Sequence, residues 1–180
     1  VAQGQDGDVG RVHLRTGVYA SFFGSYESEL EDLEKVAALG KTSSSPNTTG
    51  PARVMQVWAY QNMTDAFGDI PYSEALQGDI VGGPTKPKYD KQQDIYTALL
   101  KTLTDASATM KAGSTDAGLG SADPIYKGDM SRWLKLSNSF RARLAMRLSK
   151  ADPAKATADL SAAFSAPGGV LPPNADLAAL

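Results

Sequence analysis

Cysteine is absent from the 180 residues, so neither a disulfide framework nor thiolate chemistry is available. A single histidine, His13, is present. That removes most zinc sites and the usual histidine-dependent triads, and a lone histidine near a terminus reads as a surface residue. No apolar run approaches the roughly 18 residues that a membrane-spanning helix needs. An excess of one charge is missing too: the net charge is −2, which leaves no electrostatic case for nucleic acid. The P-loop, G-x-G-x-x-G, G-x-S-x-G and clustered metal ligands are all lacking, so no cofactor and no metal are expected. The opening "VAQGQDGDVG" carries no leader pattern. The close "GGVLPPNADLAAL" stops on apolar residues without a capping signal and reads as cut from a longer protein.

What remains is an ordinary globular composition, 42% hydrophobic and 21% charged, read as one α-helical region over 1–180 with residues 1–16 irregular. From Gly17 to Leu39, Tyr19, Phe22, Phe23, Tyr26, Leu30, Leu33, Val36 and Ala37 recur at three- and four-residue steps, the period of a helix. Glu27, Glu29, Glu31, Asp32 and Glu34 fill its other side. "GKTSSSPNTTGP", Gly40 to Pro51, reads as a loop by composition. A second helix follows from Ala52 to Ala66. It is apolar on two sides and so should lie between neighbours, with Gly68 as its C-terminal stop. "QGDIVGGPTKPKY" is a long Gly/Pro loop. A third helix is expected at Asp90, whose carboxylate can cap the first turn while Gln93 reaches back. Ile95, Leu99, Leu103, Ala106 and Met110 form its stripe. After the loop "AGSTDAGLGSADP", a fourth helix runs from about Asp129 to Lys150. A fifth opens at Asp152-Pro153 and ends before "PGG". No segment reads as a strand. The fold class is therefore all-α, with helices in succession joined by Gly/Pro loops. "WLKLSNSF" approximates the tetratricopeptide opening, with Ser137 for Gly and Phe140 for Tyr, and so points to degenerate helix-pair repeats.

Three groups of residues invite a chemical reading. Asp65, Asp69 and Glu74 cluster around "TDAFGDIPYSEAL", and paired carboxylates are what glycoside hydrolysis uses. Asp in such a corner more often accepts from backbone N–H groups, and the spacing is not that of an EF-hand. Arg132, Lys135, Arg143, Arg147 and Lys150 share an arc of roughly 120° on the fourth helix, with Arg141 at the edge of the apolar face. They read either as an anion-binding surface or, in better accord with the negative net charge, as arginines paired with acids of neighbouring helices such as Glu27 to Glu34. Trp58 and Trp133 lie on apolar faces and read as core. Phe67, Tyr72 and Tyr89 flank loops and are the candidates for a sugar-binding aromatic. No catalytic residue is assigned.

Three stretches in order resemble the SusD/RagB family of outer-membrane nutrient-binding lipoproteins, nearest its SusD-like branch. They are "TDAFGDIPYSEAL", "PKYDKQQDIYTALLKTL" and "DPIYKGDMSRWLKLSNSFRARLAMRLSKADP". Departures are mild: Arg132 where lysine is usual, Ser137 for alanine, and Phe140-Arg141-Ala142-Arg143 for Leu-Arg-Leu-Arg. The resemblance implies tetratricopeptide-like helix pairs within a considerably longer protein. It implies attachment to the external face of the outer membrane through an N-terminal lipid that this chain lacks. It also implies non-enzymatic capture of glycans or peptides for a SusC-type TonB-dependent transporter. No sugar-contacting residue is carried over. A protein-interaction scaffold without a small ligand, or a glycoside hydrolase using Asp69 and Glu74, are the alternatives.

Overall fold

The computed structural model describes residue 22 and residues 24–172, and of residue 27 the backbone alone. The readings of the first sixteen residues, His13, Tyr19, Phe23, the Glu27 side chain and the end of the tail lie outside the described residues. A π-helical turn, Ser25–Leu30, runs without a capping side chain into α1, Glu31–Thr42. Next come α2, Pro46–Phe67, and a two-residue antiparallel pairing of β1, Ile70–Pro71, with β2, Tyr89–Asp90. The remaining helices are α3, Gln92–Thr109, α4, Met130–Arg147, and α5, Pro153–Ser165. Each helix packs chiefly on the next in sequence, as expected of stacked helical hairpins. Among the described residues no helix is long and apolar enough to cross a membrane.

The all-α expectation holds, and α2 is the axis of the core. It buries Val54, Val57, Ala59, Tyr60 and Met63 against α1, α3 and α4, and Leu30, Ile95, Leu99, Leu103 and Leu144 close around them. Trp133 is buried as expected, whereas Trp58 is half-buried against the edge of the core. Gly68 ends α2 at φ +74, with its N–H on the carbonyl of Thr64, a positive φ that glycine adopts without a side-chain penalty. Asp129 and Asp152 cap α4 and α5 through first-turn N–H groups.

Two local expectations are corrected. First, residues 46–51 are helix rather than loop. Ser45 caps the turn by accepting from the Thr48 N–H, and Pro46 sits at the first helical position, where its missing N–H costs nothing. The loop between α3 and α4 then grips the helix end. Asp116 accepts from the Asn47 N–H and the Ser45 hydroxyl, and the Asn47 carboxamide exchanges bonds with the backbone of Lys111. Pro51 leaves the Asn47 carbonyl without its helical donor, and Gly118 packs onto that carbonyl so closely that a Cβ would stand 2.5 Å from the oxygen. Composition alone reads this stretch as loop because the tertiary clamp is invisible to it. Second, Asp90 does not cap α3. Its carboxylate turns back to accept from the N–H groups of Tyr72 and Ser73. The cap is supplied from across the chain: Asp69 accepts from the Gln92 N–H at 2.9 Å. The same pairing brings Ile70 opposite Asp90, a two-residue strand pair where no strand was expected.

Candidate functional site

The corner from Thr64 to Leu76 distributes its acids among structural partners. Asp65 accepts the Tyr96 hydroxyl and pairs with Arg147 at 2.7 Å. Asp69 caps α3, and Glu74 accepts from the Lys88 N–H at 3.1 Å. Each carboxylate is thus committed to a different segment, which is the geometry of a joint. Among the described residues no group of three or more His, Cys, Asp or Glu could hold a metal ion.

The basic face of α4 divides in a similar way. Arg147 pairs with Asp65, and with the Gln61 carboxamide oriented by its hydrogen-bonding surroundings, its oxygen accepts from Arg147 Nε at 3.0 Å and from Arg143 Nε at 3.2 Å. The partners are therefore on α2. The acids of α1 are engaged elsewhere: Glu31 with Lys35, and Glu34 with Arg53. Sequence reasoning anticipated arginine–acid pairing but named the wrong helix, since charge pattern carries no information about which face meets which. Arg132 rests over the Tyr126 ring at 6.0 Å.

The aromatic candidates separate. Phe67 packs edge-on against Phe22 at 4.8 Å, and the run of rings continues through Tyr26 and Tyr60 to Tyr72. Phe67 and Tyr72 are thus the two ends of one edge-to-face series, a preferred arrangement for ring quadrupoles. Tyr89 is exposed on β2.

Tyr72 lines two hollows. Two adjoining hollows, about 340 and 570 Å³, flank α2 and share Arg53, Gln56, Tyr60 and Tyr72. The first opens towards α3 at Leu99, Thr102 and Asp105, the second towards α1 and the loop after β1. Together they make one groove with α2 as its floor. The polar groups on the floor are held in place by one another. Arg53 grips both oxygens of Glu34 and the oxygen of Gln56, while the Gln56 amide donates to Glu34 at 3.0 Å. Burial would raise the Glu34 pKa, but these donors outweigh it and hold the carboxyl below its ordinary value. Burial raises the hydroxyls of Tyr60 and Tyr72 above the ordinary phenol range, so both stay neutral donors at physiological pH. A charged but internally paired array beside tyrosines suits hydroxyl groups better than a bare ion, since no net charge is left to neutralise. Sequence reading missed Arg53, Gln56 and Glu34. The periodicity of α1 and α2 puts them on helices, and only the packing of those helices brings them together.

Comparison with known proteins shows the family. A SusD-like family model, described as starch-binding and associating with the outer membrane, matches residues 1–180. A solved chitin-binding protein is 35% identical, with TM-score 0.72, over 84% of this chain and 31% of its own. A SusD homolog from Bacteroides uniformis is 31% identical, with TM-score 0.72, over 83% of this chain and 30% of its own. A chitin-binding SusD homolog from Flavobacterium johnsoniae is 26% identical, with TM-score 0.70, over 82% and 30%. The chain therefore spans about three-tenths of the length of these relatives. No curated protein matches the sequence.

Proposed function

The chain belongs to the SusD-like family of starch-binding, outer-membrane-associated proteins, and on that premise we propose that it is the helical part of a surface protein that captures glycan without cleaving it. The observation that carries this is the family match, joined to likeness with two solved chitin-binding proteins. In this reading the protein sits on the external face of the outer membrane, held by an N-terminal lipid. It passes its cargo to a SusC-type TonB-dependent transporter. The groove over α2 is where the helical part meets the sugar, with Tyr72 beside the sugar ring and Arg53 and Thr102 reading hydroxyls.

Two physical arguments support the groove. Binding a polymer calls for fixed hydrogen-bonding groups and aromatic edges, which lose little entropy when the ligand arrives. It calls for no proton transfer, and the carboxylates that hydrolysis would use, Asp69 and Glu74, are each occupied by a backbone N–H.

Calorimetry of the full-length protein against chito- and malto-oligosaccharides tests this. Binding without release of reducing ends is expected, and Tyr72→Ala or Arg53→Ala should weaken it by about tenfold, or 1.4 kcal/mol. Reducing ends that disappear in Asp69→Asn or Glu74→Gln would replace this reading with a hydrolase. A protein that ignores every glycan yet holds the transporter would be a scaffold.

A further inference from the structure

A second concavity, about 420 Å³, lies where the C-terminal end of α2, the N-terminal end of α3, the end of α4 and the start of α5 converge. It is separate from the groove. On α3 it uses Gln92, Gln93, Tyr96 and Thr97, whereas the groove uses Leu99, Thr102, Asp105, Ala106 and Thr109. At about 100° per residue these two sets point roughly 140° apart around the helix. Asp65, Arg147 and Lys155 complete its walls.

Its charges are balanced in pairs. Arg147 is held by Asp65 at 2.7 Å, and Lys155 by Asp159 at 2.9 Å. Asp152 is engaged as the cap of α5. Each cation stands beside a carboxylate, so an acidic ligand would meet repulsion together with attraction, and a basic ligand likewise. Neutral groups add hydrogen-bonding capacity: the exposed carboxamide of Gln93, with a donor and an acceptor side by side, and the free lone pair of the Thr97 hydroxyl, whose proton goes to the Gln93 carbonyl. Leu148 and Ala151 supply an apolar patch at the rim. Alternating donor and acceptor beside a small apolar surface complements the vicinal hydroxyls and C–H face of a pyranose ring, and the volume fits one or two such rings rather than a chain.

The geometry points to a second saccharide subsite here, selective for a neutral sugar unit, on a different face of α3 from the groove. It rests on the glycan-binding reading of the family. Its place would let a polymer long enough to pass from one face to the other gain effective concentration from two weak contacts.

The test is calorimetry of the full-length protein with chitohexaose and with a hexamer of galacturonic acid. Thr97→Trp fills the concavity from the exposed surface of α3 and leaves the Asp65–Arg147 pair untouched. It should lower the chitohexaose stoichiometry by one, with an unchanged melting temperature. Gln93→Ala should weaken that same site about three- to tenfold, while Tyr72→Ala in the groove should leave it in place. The galacturonic hexamer should not compete for it. An unchanged isotherm in Thr97→Trp, with binding still sensitive to Tyr72→Ala, overturns the second subsite and leaves the groove standing. Preferential binding of the uronic hexamer at this site overturns the neutral-sugar assignment. Absence of glycan binding in the wild-type protein overturns both readings.

Discussion

Trp133 donates its indole N–H to Asp123 at 2.6 Å, with both residues only 2% exposed. The same carboxylate accepts the backbone N–H groups of Ile125, Tyr126 and Gly128. The segment "DPIYKGDMSRW" is thus a loop wound around one buried acid. Tyr126 closes it edge-on against Trp133 at 5.4 Å, and Gly128 turns it at φ +85. The indole is a donor as well as a wedge.

Trp133→Phe keeps an aromatic ring and removes the donor. It should destabilise the fold by about 1–3 kcal/mol, the range for losing a hydrogen bond to a buried charged group. Trp133→Ala adds a cavity and should cost about 3–5 kcal/mol. Urea denaturation reads both as a lower midpoint at unchanged slope.

Acid should weaken the protein through this loop. Burial by itself would raise the Asp123 pKa, but the Trp133 indole and three backbone donors outweigh it and hold it low. Asp116 is lowered by Ser45, Asn47 and Gly118 against the same opposing burial. A carboxyl with a depressed folded pKa stabilises the fold above its unfolded value, near about 4, and that contribution is lost as pH falls through the folded value. Stability should therefore be level from neutral pH to about 5 and decline below about 4. Asp123→Asn should be less stable at neutral pH and show a shallower acid limb in pH-dependent unfolding.

Asp69→Ala should cost about 0.5–2 kcal/mol, the usual effect of removing a helix N-cap, and Asp69→Asn much less, because asparagine caps nearly as well. A catalytic carboxylate would show the opposite pattern, with loss of turnover in the asparagine variant and little change in stability. Thermal denaturation and a reducing-end assay on the same two variants separate the roles.

Gly118→Ala meets two obstacles at once. The position has φ +57, and the new Cβ would stand 2.5 Å from the Asn47 carbonyl oxygen. A loss of about 1–3 kcal/mol is expected from backbone strain alone. Hydrogen exchange should show the damage concentrated in the first turns of α2, residues 46–51, where that loop grips the helix.

Several elements were legible without coordinates because their cause is local. The stripe Ile95, Leu99, Leu103 and Ala106 has the helical period and is buried on one face of α3. Asp129, Asp152 and Gly68 act within their own turns, as caps and stop. The order of motifs identified the family, which the comparisons bear out. Phe67, Tyr72 and Tyr89 flank loops. That signal reports accessibility and says nothing of convergence, and Tyr72 alone lines the groove.

The sequence by itself determined the succession of helices, the caps of α4 and α5, the stop of α2 and the bend at Gly68 to Pro71, since backbone preference and hydrophobic period act over a few residues. Tertiary structure alone decided that Pro46 to Pro51 is helical, that Asp69 rather than Asp90 caps α3, that Arg147 finds Asp65, and that Arg53, Glu34 and Gln56 lock together on the floor of a groove. Each of these joins groups far apart in the chain, and their meeting depends on how whole helices pack. A hydrogen bond of that kind exists only after the burial of many apolar side chains has brought its two ends within reach.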